Sequence, residues 1–232
     1  MSLLLNPRSP SAEAFRTLRT NLHYVPNEEE CKTILVTSVD PGDGKTLVAT
    51  NLGVSLAQAG ERVLVIDGDM RKPRCHRVFD MRNRTGLTNV LVDSVELGEA
   101  IQKTSFEGLS VLTSGPIPPN PAELLESKTM DSVIQIARSQ FDRVLIDSPP
   151  AGHLADAAIL ASKVDGILLV ISSGETRVDY ALNTKESLER ARGRILGVVL
   201  NKVRYSSKDY RYRYYYEEGV ERGRSTREGS LS

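Results

Sequence analysis

Apolar positions along the chain fall into short, β-branched runs separated by helix-sized gaps. The runs predict strands at Thr33–Ser38, Arg62–Asp67, Leu109–Thr113, Arg143–Asp147, Gly166–Ser172 and Ile195–Asn201. Most are apolar at successive positions and do not alternate with polar ones, the pattern of strands covered on both faces. The stretches 45–59, 121–139, 155–163 and 177–192 predict helices between them. Strand and helix in alternation imply an α/β fold: a doubly wound, mostly parallel sheet with helices on both faces. Such a sheet presents its ligand site at the carboxyl ends of the strands.

The two ends of the chain read differently. Residues 9–24 predict a helix ahead of the first strand, with Ser9 or Ser11 as cap and Pro10 in the first turn. The segment 204–232 is almost bare of apolar residues apart from tyrosine, so little burial offsets its chain entropy. The expected division is one domain over 1–203 and a flexible, tyrosine-rich tail over 204–232.

Composition narrows the function classes. The chain has 232 residues, and 30 Lys and Arg balance 30 Asp and Glu, so no basic excess supports a nucleic-acid binder. The longest charge-free stretches, 46–60 and 108–122, are too short and too broken by Gly, Asn and Pro for a membrane span. The first residues are too short for a secretory signal, and Cys31 and Cys75 match neither a disulfide framework nor a metal motif. Both cysteines read as structural, and His23, His76 and His153, with no metal or triad spacing, as structural or surface; a cytoplasmic location is expected.

Candidate chemistry gathers at three predicted strand ends. Pro41-Gly42-Asp43-Gly44-Lys45-Thr46-Leu47 follows the first strand and opens a helix. Glycines let the backbone curl and aim N–H groups inward, and the helix start adds a positive dipole end. Lys45 can then reach the β- and γ-phosphates, while Thr46 turns a hydroxyl to Mg²⁺, the arrangement of a P-loop. The first Gly of that motif is replaced by Val39. The second strand ends in Asp67-Gly68-Asp69-Met70-Arg71 and the fourth in Asp147-Ser148-Pro149-Pro150. Carboxylates at strand ends beside a P-loop supply the oxygen ligands that Mg²⁺ requires.

These motifs resemble those of the bacterial tyrosine kinases of capsule and exopolysaccharide systems, P-loop proteins related to the MinD/ParA ATPases. The resemblance rests on PGDGKT, VLVIDGDMR and VLIDSPP, on Glu13, Arg16 and Arg19 spaced as E-x-x-R-x-x-R, on PPNPAELL from Pro118, and on the tail tyrosines. It runs from Pro10 to about Tyr216. It implies an ATP- and Mg²⁺-dependent kinase in which Pro41 to Leu47 bind the nucleotide and Asn201 contacts the base. Lys45, Asp67, Asp69 and Asp147 are then the catalytic set, and Thr46, Asp67 and Asp147 the metal ligands. Which of Asp67 and Asp69 accepts the phenolic proton is left open. Arg71 reads equally as a substrate or subunit contact and as a surface ion pair.

Six of the eight tyrosines lie in the tail, at Tyr205, Tyr210, Tyr212, Tyr214, Tyr215 and Tyr216, interleaved with Lys208, Arg211 and Arg213. Aromatics among arginines also suit nucleic-acid stacking. The upstream motifs turn the reading to an autophosphorylation substrate. The resemblance further implies transfer between subunits of a homo-oligomeric ring, with an octamer as the candidate size, joined through Glu13, Arg16 and Arg19. It implies a membrane adaptor as activator, a cognate tyrosine phosphatase, and a place at the inner membrane face. The alternatives are a MinD/ParA-like switch ATPase without kinase activity and a nucleotide-dependent assembly scaffold. Against the switch, Asp40 stands where those relatives carry an extra Lys.

Overall fold

The computed structural model describes residues 9–25 and 31–203. Its elements are α1 (Pro10–His23), β1 (Thr33–Ser38), α2 (Lys45–Ala57), β2 (Val63–Asp67), α3 (Cys75–Val78), α4 (Leu87–Leu91), α5 (Leu97–Ala100), β3 (Gln102–Lys103), β4 (Leu109–Leu112), α6 (Pro121–Glu126), α7 (Lys128–Gln140), β5 (Arg143–Asp147), α8 (Ala155–Ala161), β6 (Gly166–Ser172), α9 (Val178–Arg190) and β7 (Ile195–Asn201). The described residues through Asn201 belong to one compact unit; Lys202 and Val203 fall in a second.

Seven strands form one sheet in the order β3-β4-β2-β5-β1-β6-β7. Every described pairing is parallel except β3 with β4. Because successive side chains point to opposite faces, an apolar strand feeds two cores at once. Leu35, Leu64, Ile66, Val144, Ile146, Ile167 and Leu169 enter one core with residues of α4 to α9. Ile34, Val36, Val63, Val65, Leu145, Leu168 and Val170 enter the other with α2, Leu22 of α1 and Cys75 of α3. The expected doubly wound α/β sheet, helices on both faces, is therefore the observed one.

α2 is buried at every position but Leu47. Small residues allow this. A Cβ on Gly53 would lie 2.9 Å from Val65 Cγ2, so that glycine sets how closely the helix approaches the sheet. The outer side of α2 is covered by α1, where Arg19 donates to the Ser55 carbonyl at 2.6 Å.

Several boundaries differ from expectation. The stretch 121–139 is two helices, because Ser127 leaves helical geometry and its hydroxyl accepts from the Met130 amide at 3.2 Å, capping α7. The expected strands at Arg62 and Thr113 are one residue shorter at those ends. Between β2 and β4 the sequence reading assigned nothing, yet α3, α4, α5 and β3 all lie there.

Candidate active site

The site is built on the carboxyl ends of three adjacent strands. In the β2–β5 ladder, Asp67 pairs directly with Asp147, so two carboxylates stand side by side. β1, on the other side of β5, delivers the chain into the loop 39–44 and then α2. The order of strands, not proximity in sequence, thus brings Lys45, Asp67 and Asp147 together.

The loop is held in place by its own acid. Asp43 Oδ2 accepts from the Asp40 amide at 2.8 Å, and Oδ1 accepts from the Thr176 hydroxyl at 3.1 Å. The Asp43 carbonyl accepts from Asn201 Nδ2 at 2.7 Å. Gly44 sits at φ 99°, and a Cβ there would lie 2.1 Å from Asn201 Nδ2. The positive φ and the missing side chain are both required where β7 meets the loop.

Lys45 Nζ lies 2.8 Å from Asp69 Oδ2 and 3.8 Å from Asp147 Oδ1. Burial opposes its charge, but Asp147 and Asp69 outweigh that cost and raise its pKa. Thr46 donates its hydroxyl to Asp147 Oδ2 at 2.6 Å. Asp69 Oδ1 accepts from the Lys72 amide at 3.0 Å, and Asp67 Oδ2 from the amides of Arg74 and Cys75 at 3.0 and 2.9 Å.

Asp67 and Asp147 are fully buried. Burial, then the neighbouring Asp147 charge, pushes Asp67 up to about 7. Burial pushes Asp147 up to about 6, with Lys45 and Thr46 pulling back. One oxygen of each, Asp67 Oδ1 and Asp147 Oδ1, has no hydrogen-bond partner. Orphaned buried carboxylate oxygens are costly unless a cation compensates them. Together with the Thr46 hydroxyl they form a set of hard oxygens, the kind that suits Mg²⁺.

A cleft of about 350 Å³ opens over Lys45 and Thr46, lined also by Gly42, Leu47, Asp69, Arg71 and Pro150. That volume is in the range of small-molecule sites. Asp69 reaches it; Asp67 and Asp147 do not line it.

The chain matches the AAA domain family over residues 31–189. It is 43% identical over 212 residues to the tyrosine-protein kinase YwqD of Bacillus subtilis, covering 91% of this chain and 89% of that protein. The chain belongs to the bacterial tyrosine-protein kinase family. The kinase domain of the Escherichia coli tyrosine kinase ETK shares its fold with a TM-score of 0.85 at 35% identity, over 88% of this chain and 80% of that one. The septum site-determining protein MinD of Pyrococcus horikoshii, complexed with Mg-ADP, lies further off, with a TM-score of 0.66 and 27% identity over 77% and 73% of the chains.

Against this kinase fold, the other anticipated residues fall as follows. Glu13 and Arg16 form an ion pair within α1 at 2.8 Å, while Arg19 donates to the Ser55 carbonyl of α2 at 2.6 Å. Arg71 makes a bidentate pair with buried Asp156 of α8, at 2.8 and 3.0 Å. The six tail tyrosines lie outside the described residues. Three site features escaped the sequence reading. Cys75, read as structural, places its Sγ 3.8 Å from Asp147 Oδ2. His153 contacts Asp40 Oδ1 at 2.9 Å on the cleft rim. Thr176, in the turn between β6 and α9, pins the loop through Asp43. Only the third dimension joins these positions, so no spacing signalled them.

Proposed function

We propose that the chain is an ATP-dependent protein-tyrosine kinase that phosphorylates the tyrosine cluster Tyr205 to Tyr216 of a neighbouring copy and thereby regulates capsular or exopolysaccharide synthesis. The carrying observation is the buried pair Asp67 and Asp147, side by side behind Lys45, each with an unsatisfied oxygen. Such a site suits a bound polyphosphate and a divalent cation, because phosphoryl transfer demands mainly positioning and charge stabilisation.

In this reading Gly42, Asp43 and Gly44 turn backbone donors to the phosphates, between Pro41 and Leu47. Lys45 leaves Asp69 to neutralise the β/γ bridge. Thr46, Asp67 and Asp147 would hold Mg²⁺, which would spread the negative charge of the phosphates when bound. Asn201 contacts the base. Asp67 and Asp69 are the two candidates to accept the phenolic proton, since tyrosine ionises near pH 10 and needs a base at neutral pH. Asp69, the acid that reaches the cleft, orients the phenol. Glu13 and Arg16 contribute to a ring between copies, and a membrane adaptor recruits and activates the assembly at the inner membrane face. A tyrosine phosphatase reverses the mark.

The test is an intact mass spectrum of the full chain after incubation with ATP and Mg²⁺, with and without the adaptor's cytoplasmic segment. Stepwise phosphate additions in the tail, lost in Lys45→Met, are expected. ATP hydrolysis without any tyrosine modification would show a switch ATPase of the MinD/ParA kind instead. Asp40 favours the kinase: it occupies the position of the extra Lys of those ATPases and is tied down by His153.

A further inference from the structure

Residues 70–84, which leave β2 and run through α3, hold six Lys and Arg against a single acid, Asp80, in a chain that carries 30 of each sign. Arg71 is taken by Asp156. Lys72, Arg74, Arg77, Arg82 and Arg84 are exposed and form no ion pair among the described residues. Exposed arginines elsewhere, such as Arg62 and Arg177, each hold a carboxylate. The five cations follow one rim. Lys72 and Arg74 line the cleft. Arg77 comes three residues after Arg74, and its amide donates to the Arg74 carbonyl at 3.0 Å. Arg82 and Arg84 flank Asn83, which exchanges two hydrogen bonds with Gly115 just beyond β4. Gln102 of β3 donates to the Arg82 carbonyl at 3.2 Å. Because β4 adjoins β2, the rim runs outward from the cleft along the carboxyl edge of the sheet. These backbone ties gather like charges before any ligand arrives, which lowers the ordering cost of binding an anion. Guanidinium forks match phosphate oxygens in geometry as well as charge.

We infer that this rim binds a phosphotyrosine-bearing peptide, the marked tail of another copy, an assignment that rests on the kinase reading and names what the site holds after reaction. Charge selects the occupant. Unmodified, residues 204–218 carry four Lys and Arg against three Asp and Glu, so the rim has little to attract. Each phosphate adds about −1.5 to −2, so two or three make the segment strongly anionic. Arginine clusters are a recurring reader of such motifs. Continuity with the cleft favours a peptide over a lipid surface: a marked tyrosine lies against the rim while an unmarked one occupies the cleft, whereas a membrane would cap it. A tail with its first phosphate is thereby retained beside the site.

The experiment uses the full chain, dephosphorylated and saturated with ADP and Mg²⁺, and a fluorescent synthetic peptide of residues 204–218. The peptide is made unmodified and with phosphates on Tyr212, Tyr214 and Tyr216. Fluorescence anisotropy should show the phosphorylated form binding roughly tenfold or more tightly than the unmodified one. The double variant Arg82→Gln with Arg84→Gln, whose side chains hold no part of the fold, should weaken it by roughly tenfold or more. Arg77→Gln alone should weaken it too, which keeps the test decisive if the double variant folds poorly. Equal binding of the two peptides, or binding unchanged in these variants, overturns the assignment. So does a poly-glutamate peptide of equal charge that binds as tightly. Binding of anionic phosphatidylglycerol vesicles that is lost in the variants and untouched by the phosphopeptide would show a membrane surface instead. The peptide arrives already phosphorylated, so its failure to bind beside intact tail phosphorylation removes this assignment alone, and binding by a chain that modifies no tyrosine removes only the kinase reading.

Discussion

At the scale of single residues, the site runs on electrostatics that the ladder imposes. Asp67 and Asp147 face each other because β2 and β5 are in register, and burial holds both above the usual carboxylate range. The sign of the pH effect follows. With a folded pKa near 7 against 3.8, Asp67 keeps a proton in the folded state that the unfolded chain has released, so stability falls as pH rises from about 4 to 7. Asp67→Asn should remove that penalty. Its melting temperature relative to wild type, measured with a chelator present, should therefore rise across this window. A difference that stays flat with pH would contradict the assignment. Gly44→Ala forces a side chain into Asn201 at positive φ, a strain of about 1–3 kcal/mol. Nucleotide affinity, measured with a fluorescent ATP analogue, should drop by roughly tenfold or more for the same energy. Arg71→Met leaves Asp156 buried without its guanidinium. Partial exposure of Arg71 holds the cost to about 1–2 kcal/mol in urea unfolding, below that of a fully buried pair.

At the scale of elements, the sequence made some things plain and hid others for physical reasons. Strands with two buried faces read as unbroken apolar runs, so β1, β2, β5 and β6 were legible nearly to the residue; β7 was legible from the same kind of run although it is an edge strand with Val198 and Leu200 exposed. The P-loop was legible because glycines and Lys45 occupy fixed offsets after a strand. The region from α3 to β3 was not, because its short helices depend on contacts made across the fold. The Leu87 and Thr88 amides donate to the Thr113 and Ser114 carbonyls, and Asn83 exchanges two hydrogen bonds with Gly115. No periodicity can reveal such pairings. The break at Ser127 was a missed cap: serine followed by Asp131 in the first turn is a helix start within a longer apolar pattern. Ser127→Ala should cost about 1 kcal/mol, lowering the melting temperature by about 2–4 °C. For α1, the split between Arg16 and Arg19 refines the oligomer test. Arg19→Ala removes a bond to α2 and should loosen the helix within one copy. Arg16→Ala leaves that bond in place, so light scattering on this variant isolates the contribution to assembly, with a smaller particle expected.

At the scale of the whole molecule, strand order does the work that sequence spacing cannot. Lys45, Asp67 and Asp147 are far apart along the chain, and they converge because β5 sits between β1 and β2. The family relationship and the geometry agree on a phosphate site at this rim. Cys75 shows where the two part: nothing in a motif predicts a thiol against Asp147, and only the packing of α3 under the sheet places it there.

The enclosure of α2 has one more consequence. A helix walled in by the sheet and by α1 has no free side to swing toward, so Lys45 and Thr46 stand on a fixed post. Any breathing of the cleft mouth must come from the segments that follow β2 and β5, which flank the post as jaws flank an anvil. Amide hydrogen exchange should register this as a gradient, slowest from Val48 to Leu56 and fastest beyond Asp69 and Pro150. ATP should slow the jaws far more than the anvil.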